Sequence, residues 1–266
     1  RDTDLVTLCE DKILKILANK DAVFNADGNP QLTANERVLG QTVPFVGDYG
    51  ISKNPESFAS ESYRVYFSDK VRGAILRLSM DGLTAISEHG MKDWFRDNLM
   101  LSNKIIGSYD DRKDEYNITL DNSTDETPKT LTFREDVKGW VSFKSFVPEN
   151  AISCANDYYT FLNAKPWQHH SEIEDRNTFY NNYTNSHVNV VINEIPGSVK
   201  SFTTINYEGS VSRITQNLED DQYFNLQPRK GWWVEKLETN KETGKLYEFI
   251  EKEGKWFNYI RGKETL

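Results

Sequence analysis

The chain has 266 residues, 37% of them hydrophobic and 12% aromatic, with 32 basic against 41 acidic residues for a formal charge of −9. That length allows one large β domain or two ordinary ones, and the recurring aromatics argue against disorder. The acidic balance removes the attraction that dominates nucleic-acid binding, and no apolar run approaches the ~18–20 residues of a membrane span, so neither nucleic acid nor membrane insertion is expected.

In chain order, Leu5 to Leu8 and Lys12 to Leu17 flank the polar step Glu10-Asp11 and predict a hairpin. From Asn25 to Pro55 the chain is dense in Gly, Pro and Asn, including Asp27-Gly28-Asn29-Pro30 and Gly47-Asp48-Tyr49-Gly50. It reads as mostly loop, of a length that usually carries a contact. Tyr63 to Ser87 predicts a three-stranded meander, and Met91, Trp94, Phe95 and Leu99 share one face of a short helix within His89 to Met100.

A second meander pairs Ile105–Tyr109 with Tyr116–Leu120 and Thr130–Phe133 with Trp140–Phe146, and a third hairpin joins Ile152–Cys154 to Tyr158–Leu162. Along Trp140–Phe146 aromatics fall on both alternating faces, which predicts a strand held between layers. After the polar stretch Lys165–Asn185, strands are expected at Val188–Ile192, Val199–Tyr207 and Val211–Ile214, then an acidic connection over Gln216–Pro228. Hairpins follow over Trp232–Ile250 and around Glu253-Gly254 into Trp256–Ile260. Strands at roughly 8–12-residue spacing predict an all-β fold.

One motif stands out. Tyr66-Phe67-Ser68-Asp69, Ile75, Arg77 and Asp81-Gly82 together resemble the Tyr-Trp-Thr-Asp blade repeat of β-propellers, in which the apolar and aromatic residues fill the space between blades. A degenerate second copy runs from Tyr109-Asp110 to Trp140–Phe143. A closed propeller needs at least about four blades of 40–50 residues, so the chain, which starts at Arg1, reads as a segment of a longer polypeptide.

Asn54–Phe58, Val65–Leu83, Glu88–Phe95, Phe133–Phe146 and Glu251–Gly262, taken in order, resemble large virion structural proteins of tailed bacteriophages. The resemblance implies a long β-rich, tail-associated protein that assembles with other virion subunits, with no catalytic residues to carry over. It places the chain in the virion, in the phage tail, after assembly in the host cytoplasm.

Enzyme and metal signatures are weak. His169-His170 with Cys154 and Glu172 lacks the ligand spacing of a zinc site, and a calcium loop around Asp27-Gly28 would need Val23 and Ala34 as ligands. No nucleophile elbow or phosphate-binding glycine loop occurs, and Asp110, Asp111, Glu115, Glu172 and Glu174 are carboxylates without a pairing signal. No catalytic residue, metal or cofactor is therefore expected. Cys9 and Cys154 read as ordinary thiols. Asn117, Asn122 and Asn182 each begin a glycosylation acceptor triplet, a pattern expected by chance in so Asn- and Thr-rich a chain.

Trp167, Tyr180, Tyr183, Tyr223, Phe224, Trp232 and Trp233 lie in or beside polar segments and suit subunit contacts or, alternatively, stacking on a host surface glycan. The combined expectation is propeller-like meanders over 1–165 followed by a second β domain, such as a sandwich, over 166–266. The function expected is structural, in a phage tail or tail-tip assembly, with other virion subunits and further copies of the chain as partners. The competing expectation is a host-glycan receptor-binding module.

Overall fold

The computed structural model describes residues 4–24, 30–122, 129–210, 212–214, 216–219 and 230–260. The fold is all-β, and α1 (Lys92–Leu99) is the single α-helix among the described residues. The chain forms two compact units, Arg1–Val188 and Asn189–Leu266. Strand pairing carries the first unit past residue 165, where the turn to polar composition suggested a boundary.

The first unit opens with β1 (Leu5–Leu8), β2 (Ile13–Phe24) and β3 (Pro30–Pro44), an antiparallel sheet in that order. This corrects the loop expected over 25–55 for residues 30–44; 45–54 are indeed without strand, and 25–29 lie outside the described residues. Thr33, Val38, Leu39, Thr42 and Val43 give β3 its strand-forming character, and the ladder tolerates interruptions at Ile16/Ala18 and Ala18/Lys20. Asp4, 7% exposed, anchors the ribbon by accepting from Lys15 and Lys20 Nζ, both at 2.9 Å, and from the Ala18 amide. Burial alone would raise the Asp4 carboxyl, but the bonds from Lys20 and Lys15 outweigh it and hold the pKa at about 2.

A 3-10 turn at Pro55–Ser57 leads into β4 (Ala59–Ser60), β5 (Val65–Asp69), β6 (Ala74–Ser79) and β7 (Gly82–Ala85), a four-stranded meander. Helix α1 then precedes β8 (Ser102–Asp110), β9 (Glu115–Asn122), β10 (Lys129–Arg134) and β11 (Gly139–Lys144), a second such meander. Period-2 alternation explains how the layers stack. Tyr66 and Ile75 face a core shared with Phe95, Leu99, Ile105, Ile118, Leu131 and Phe133, while Phe67, Leu76 and Leu78 face Ile13 and Ile51 on the other side. Strands β5 and β6 therefore carry apolar contacts on both faces.

Strand β11, expected between layers, lies at the sheet edge with Val141 and Phe143 exposed. A bulge between Thr132 and Phe133 pairs Phe133 with Trp140 and Leu131 with Phe143, so Trp140 and Phe143 reach the same face despite their three-residue separation. Both rings meet α1, Trp140 against Phe95 at 4.6 Å and Phe143 against Trp94 at 5.5 Å. Across the other face lie β12 (Asn150–Cys154), β13 (Asp157–Leu162) and β14 (Lys165–Gln168), followed by the short pair β15 (Thr178–Phe179) and β16 (Asn182–Tyr183). Ala155 and Asn156, both at positive φ, make the two-residue turn that matches the right-handed twist of β12 and β13.

The segment from Tyr66 to Gly82 thus forms the middle of a four-stranded meander, but among the described residues no sheet closes into a barrel or a propeller ring. The second unit holds β17 (Thr204–Tyr207), β18 (Val234–Glu238), β19 (Thr243–Leu246), β20 (Ile250–Lys252) and β21 (Lys255–Tyr259), arranged as β17-β21-β20 and β18-β19. Among the described residues its core comprises Ile214, Leu246, Phe249 and Trp256, flanked by Ile205, Tyr207 and Val234. The Trp256 indole donates to the Gly209 carbonyl at 2.9 Å. Val188–Ile192, expected as a strand, has no regular structure.

Candidate functional site

The blade-like motif is scaffold in its geometry. Tyr66, Phe67, Asp69 and Ile75 are fully buried, and Asp81 and Gly82 shape the β6–β7 turn. Tyr66 stacks on Tyr116 at 4.6 Å and donates its hydroxyl to Glu135 at 2.8 Å, while Arg77 reaches the other Glu135 oxygen at 2.7 Å. Burial, reinforced by Glu135, pushes the Tyr66 phenol far above its ordinary value, so it stays a donor. Glu135, from the β10–β11 turn, thereby clasps the two meanders together.

The opposite face of β8–β10 carries a polar layer that periodicity alone would assign to solvent. Ser108, Asp110, Asn117, Thr119, Thr130 and Thr132 are all buried there. Thr119 donates to Thr130, which donates to the Phe146 carbonyl, and Thr132 donates to Asn117. Ser108 meets the Tyr158 hydroxyl at 2.7 Å, and His170 Nε2 lies 2.6 Å from Asp110. Asn117 begins one of the acceptor triplets for glycosylation, yet its side chain is closed inside this layer.

This layer brings together a carboxylate, two imidazoles and hydroxyls, but their hydrogen bonds point to one another. The Ser108 hydroxyl is held by Tyr158, and the hydroxyl that meets an imidazole is that of Thr160, buried against His169. Among the described residues no three His, Cys, Asp or Glu side chains gather as ligands for a metal ion. Shallow depressions lie elsewhere, of about 350 Å³ beside Lys245, Tyr247 and Tyr259 and about 400 Å³ beside Ile195, Lys200 and Phe202.

His169 makes the layer sensitive to acid. Its Nε2 shares a 2.7 Å hydrogen bond with Thr160 Oγ1, which also accepts from Tyr180. Burial is the main cause that lowers its pKa from 6.5 to about 4, with the neighbouring His170 and Lys144 adding to it. The unfolded chain therefore binds a proton between these values that the folded chain refuses, and stability falls as pH drops from 6.5 towards 4. The expected loss is about 3 kcal/mol across that window, and His169→Gln should flatten it in urea unfolding curves collected at pH 7 and pH 4.5.

The aromatics singled out from the sequence fall into separate places. Trp167 packs edge-on against Tyr180 at 5.4 Å in the first unit, and Tyr183 is 58% exposed nearby on β16. Trp232 and Trp233 belong to the second unit, where the Arg213 guanidinium sits 5.3 Å from the Trp233 ring. Tyr223 and Phe224 lie outside the described residues.

Sequence reasoning missed two exposed apolar stretches. Leu32, Val38 and Leu39 of β3 stand in solvent. Between the β16 hairpin and β17, so do Val188, Val190, Val191, Ile192, Ile195 and Val199. The signal for the second stretch was present as a run of branched aliphatics; what it lacks is a paired partner among the described residues. No described helix is long and apolar enough to cross a membrane.

Residues 174–263 match the family model described as the Crassvirus muzzle protein C-terminal domain. The match begins shortly before β15 and spans nearly all of the second unit, including the Val188–Val199 stretch. It supports a phage structural protein, with a place in the virion. No curated protein matches the chain.

Proposed function

We propose that the chain is a structural subunit, or part of one, of a phage tail or tail-tip assembly. It acts through contacts with other virion subunits and with further copies of itself, and it carries no catalytic step. The observation that carries this reading is the match of residues 174–263 to a muzzle-protein domain, which overlaps the unit that has, among the described residues, the smaller core and a run of exposed aliphatics. A small core surrounded by exposed Val and Ile is the pattern of a module whose remaining burial is supplied by neighbours.

Glycan capture draws less support. Of the candidate aromatics, Trp167 packs on Tyr180 and Arg213 sits beside Trp233, while Trp232 and Tyr183, 47% and 58% exposed, lie in different units.

Separating purified particles into heads and tails tests the tail assignment. Peptides from this chain are expected in the tail fraction at a constant ratio to other tail proteins. Recovery only with heads, or only in the soluble lysate, would overturn it.

A further inference from the structure

The stretch that joins the two units carries information about its partner. Val188, Val190, Val191 and Ile192 are 69%, 68%, 90% and 60% exposed, and no backbone hydrogen bond ties 188–192 to another described residue. Their β-branched side chains favour a strand, and neither a proline nor a Lys, Arg, Asp or Glu interrupts 187–193. Just beyond, the chain is pinned into a tight turn: Lys200 Nζ donates to Asn193 Oδ1 at 2.9 Å and to the Ile195 carbonyl at 2.8 Å, and the Ser198 amide donates to Ile195 at 3.1 Å. The aliphatic run is thereby left outside that turn, with its ladder groups open to an incoming strand.

We propose that Val188–Ile192 pairs antiparallel with the same residues of a second copy, about a twofold axis through Val190. The inference rests on the assembly reading above and names its partner.

The sequence is self-complementary in this register. Val188 stands opposite Ile192, Asn189 opposite Val191, and Val190 opposite itself, so six aliphatic side chains from the two copies share one face. Extending the ladder puts His187 opposite Asn193 and Ser186 opposite Glu194, and no charge meets a like charge. Centring the pair on Val191 instead would set Val188 against Glu194. Twofold pairing also closes on itself, which distinguishes it from open strand stacking. So short a ladder covers less than the roughly 800 Å² per partner of a standard interface, so the pair is weak in isolation and covalent trapping is the suitable readout.

Opposed residues in an antiparallel pair have Cα atoms about 4.5–5.5 Å apart, within disulfide reach. In the full chain carrying Cys9→Ser and Cys154→Ser, Val190→Cys is expected to give a disulfide-linked dimer of doubled mass as the main product of mild oxidation. Val191→Cys should remain monomeric, although Val191 is the more exposed of the two and would win in random collision. The substituted side chains are exposed, and near-ultraviolet circular dichroism of the buried Trp256 verifies the fold. Equal trapping at both positions, no trapping at Val190→Cys, or a ladder of higher oligomers would overturn the pairing. The two readings fail separately: a chain found with tails but untrapped at residue 190 loses only the pairing, and a trapped dimer absent from particles loses the assembly role.

Discussion

Replacing Gly107 with alanine is expected to destabilise the first unit by at least about 3 kcal/mol, the upper end of ordinary overpacking. Gly107 lies in the middle of β8, where the backbone of the Pro55–Ser57 turn crosses the sheet. A Cβ there would sit 1.9 Å from the Ser57 carbonyl oxygen and 2.6 Å from its carbon. Those atoms cannot swing aside, because Tyr116 donates to the same carbonyl at 3.2 Å and Ser57 Oγ accepts from the Ser68 amide at 3.0 Å. Ser57 is thus fixed between the two meanders, and only a residue without a side chain lets the turn sit this close. Gly139→Ala provides the control, since its nearest contact is an ordinary 3.6 Å. Urea unfolding should show a large fall in midpoint for Gly107→Ala and little change for Gly139→Ala; similar midpoints would contradict the packing described.

Asp69→Ala is expected to cost about 3 kcal/mol or more, because it removes one partner from a buried charged network. The carboxylate is fully buried and accepts from the Gly50 amide at 3.1 Å, Ser52 Oγ at 3.0 Å, the Arg72 amide at 3.1 Å and the Arg72 guanidinium at 3.0 Å. Arg72 is partly exposed and recovers water when the carboxylate goes, which holds the cost near the lower end. The Gly50 amide has no such escape: a Cβ on Gly50 would already touch the Glu10 carbonyl at 2.1 Å, so its loop is trapped against the β1–β2 turn. Asp69→Asn keeps an acceptor and should cost less than the alanine variant. The check is thermal unfolding of both variants together with hydrogen exchange of the Gly50 amide, which should lose protection in Asp69→Ala.

Both positions show what the sequence carried and what it did not. The meanders were legible because turns such as Asp81-Gly82 and Ala155-Asn156 separate short runs of alternating residues. Asp69 stood out inside its motif. Gly107 did not, since nothing in its neighbours announces that a second backbone crosses β8. The β3 strand was hidden by glycines and asparagines around its ends, while its own Thr and Val residues pair with β2. On β11 the simple two-residue period failed because one bulge residue shifts Phe143 onto the face of Trp140.

The polar layer was misleading in the opposite sense. Asn117 and Thr119 alternate with Tyr116, Ile118 and Leu120, which is the pattern of a half-exposed strand. Tyr158, Phe146 and His169 close over that face instead, and hydrogen bonding among its hydroxyls makes the burial tolerable. β14 was unreadable because Pro166 interrupts it; as an edge strand it can hold a proline. Val188–Ile192 has strand character, but among the described residues no strand pairs with it.

The proposed role as an assembled part of a phage tail has a direct test. Gold-labelled antibodies raised against residues 1–266 and applied to intact particles test it most directly. Label confined to the tail, at or near its tip, is the result the account predicts. Particles that stay unlabelled, or that carry label over the capsid, would contradict it.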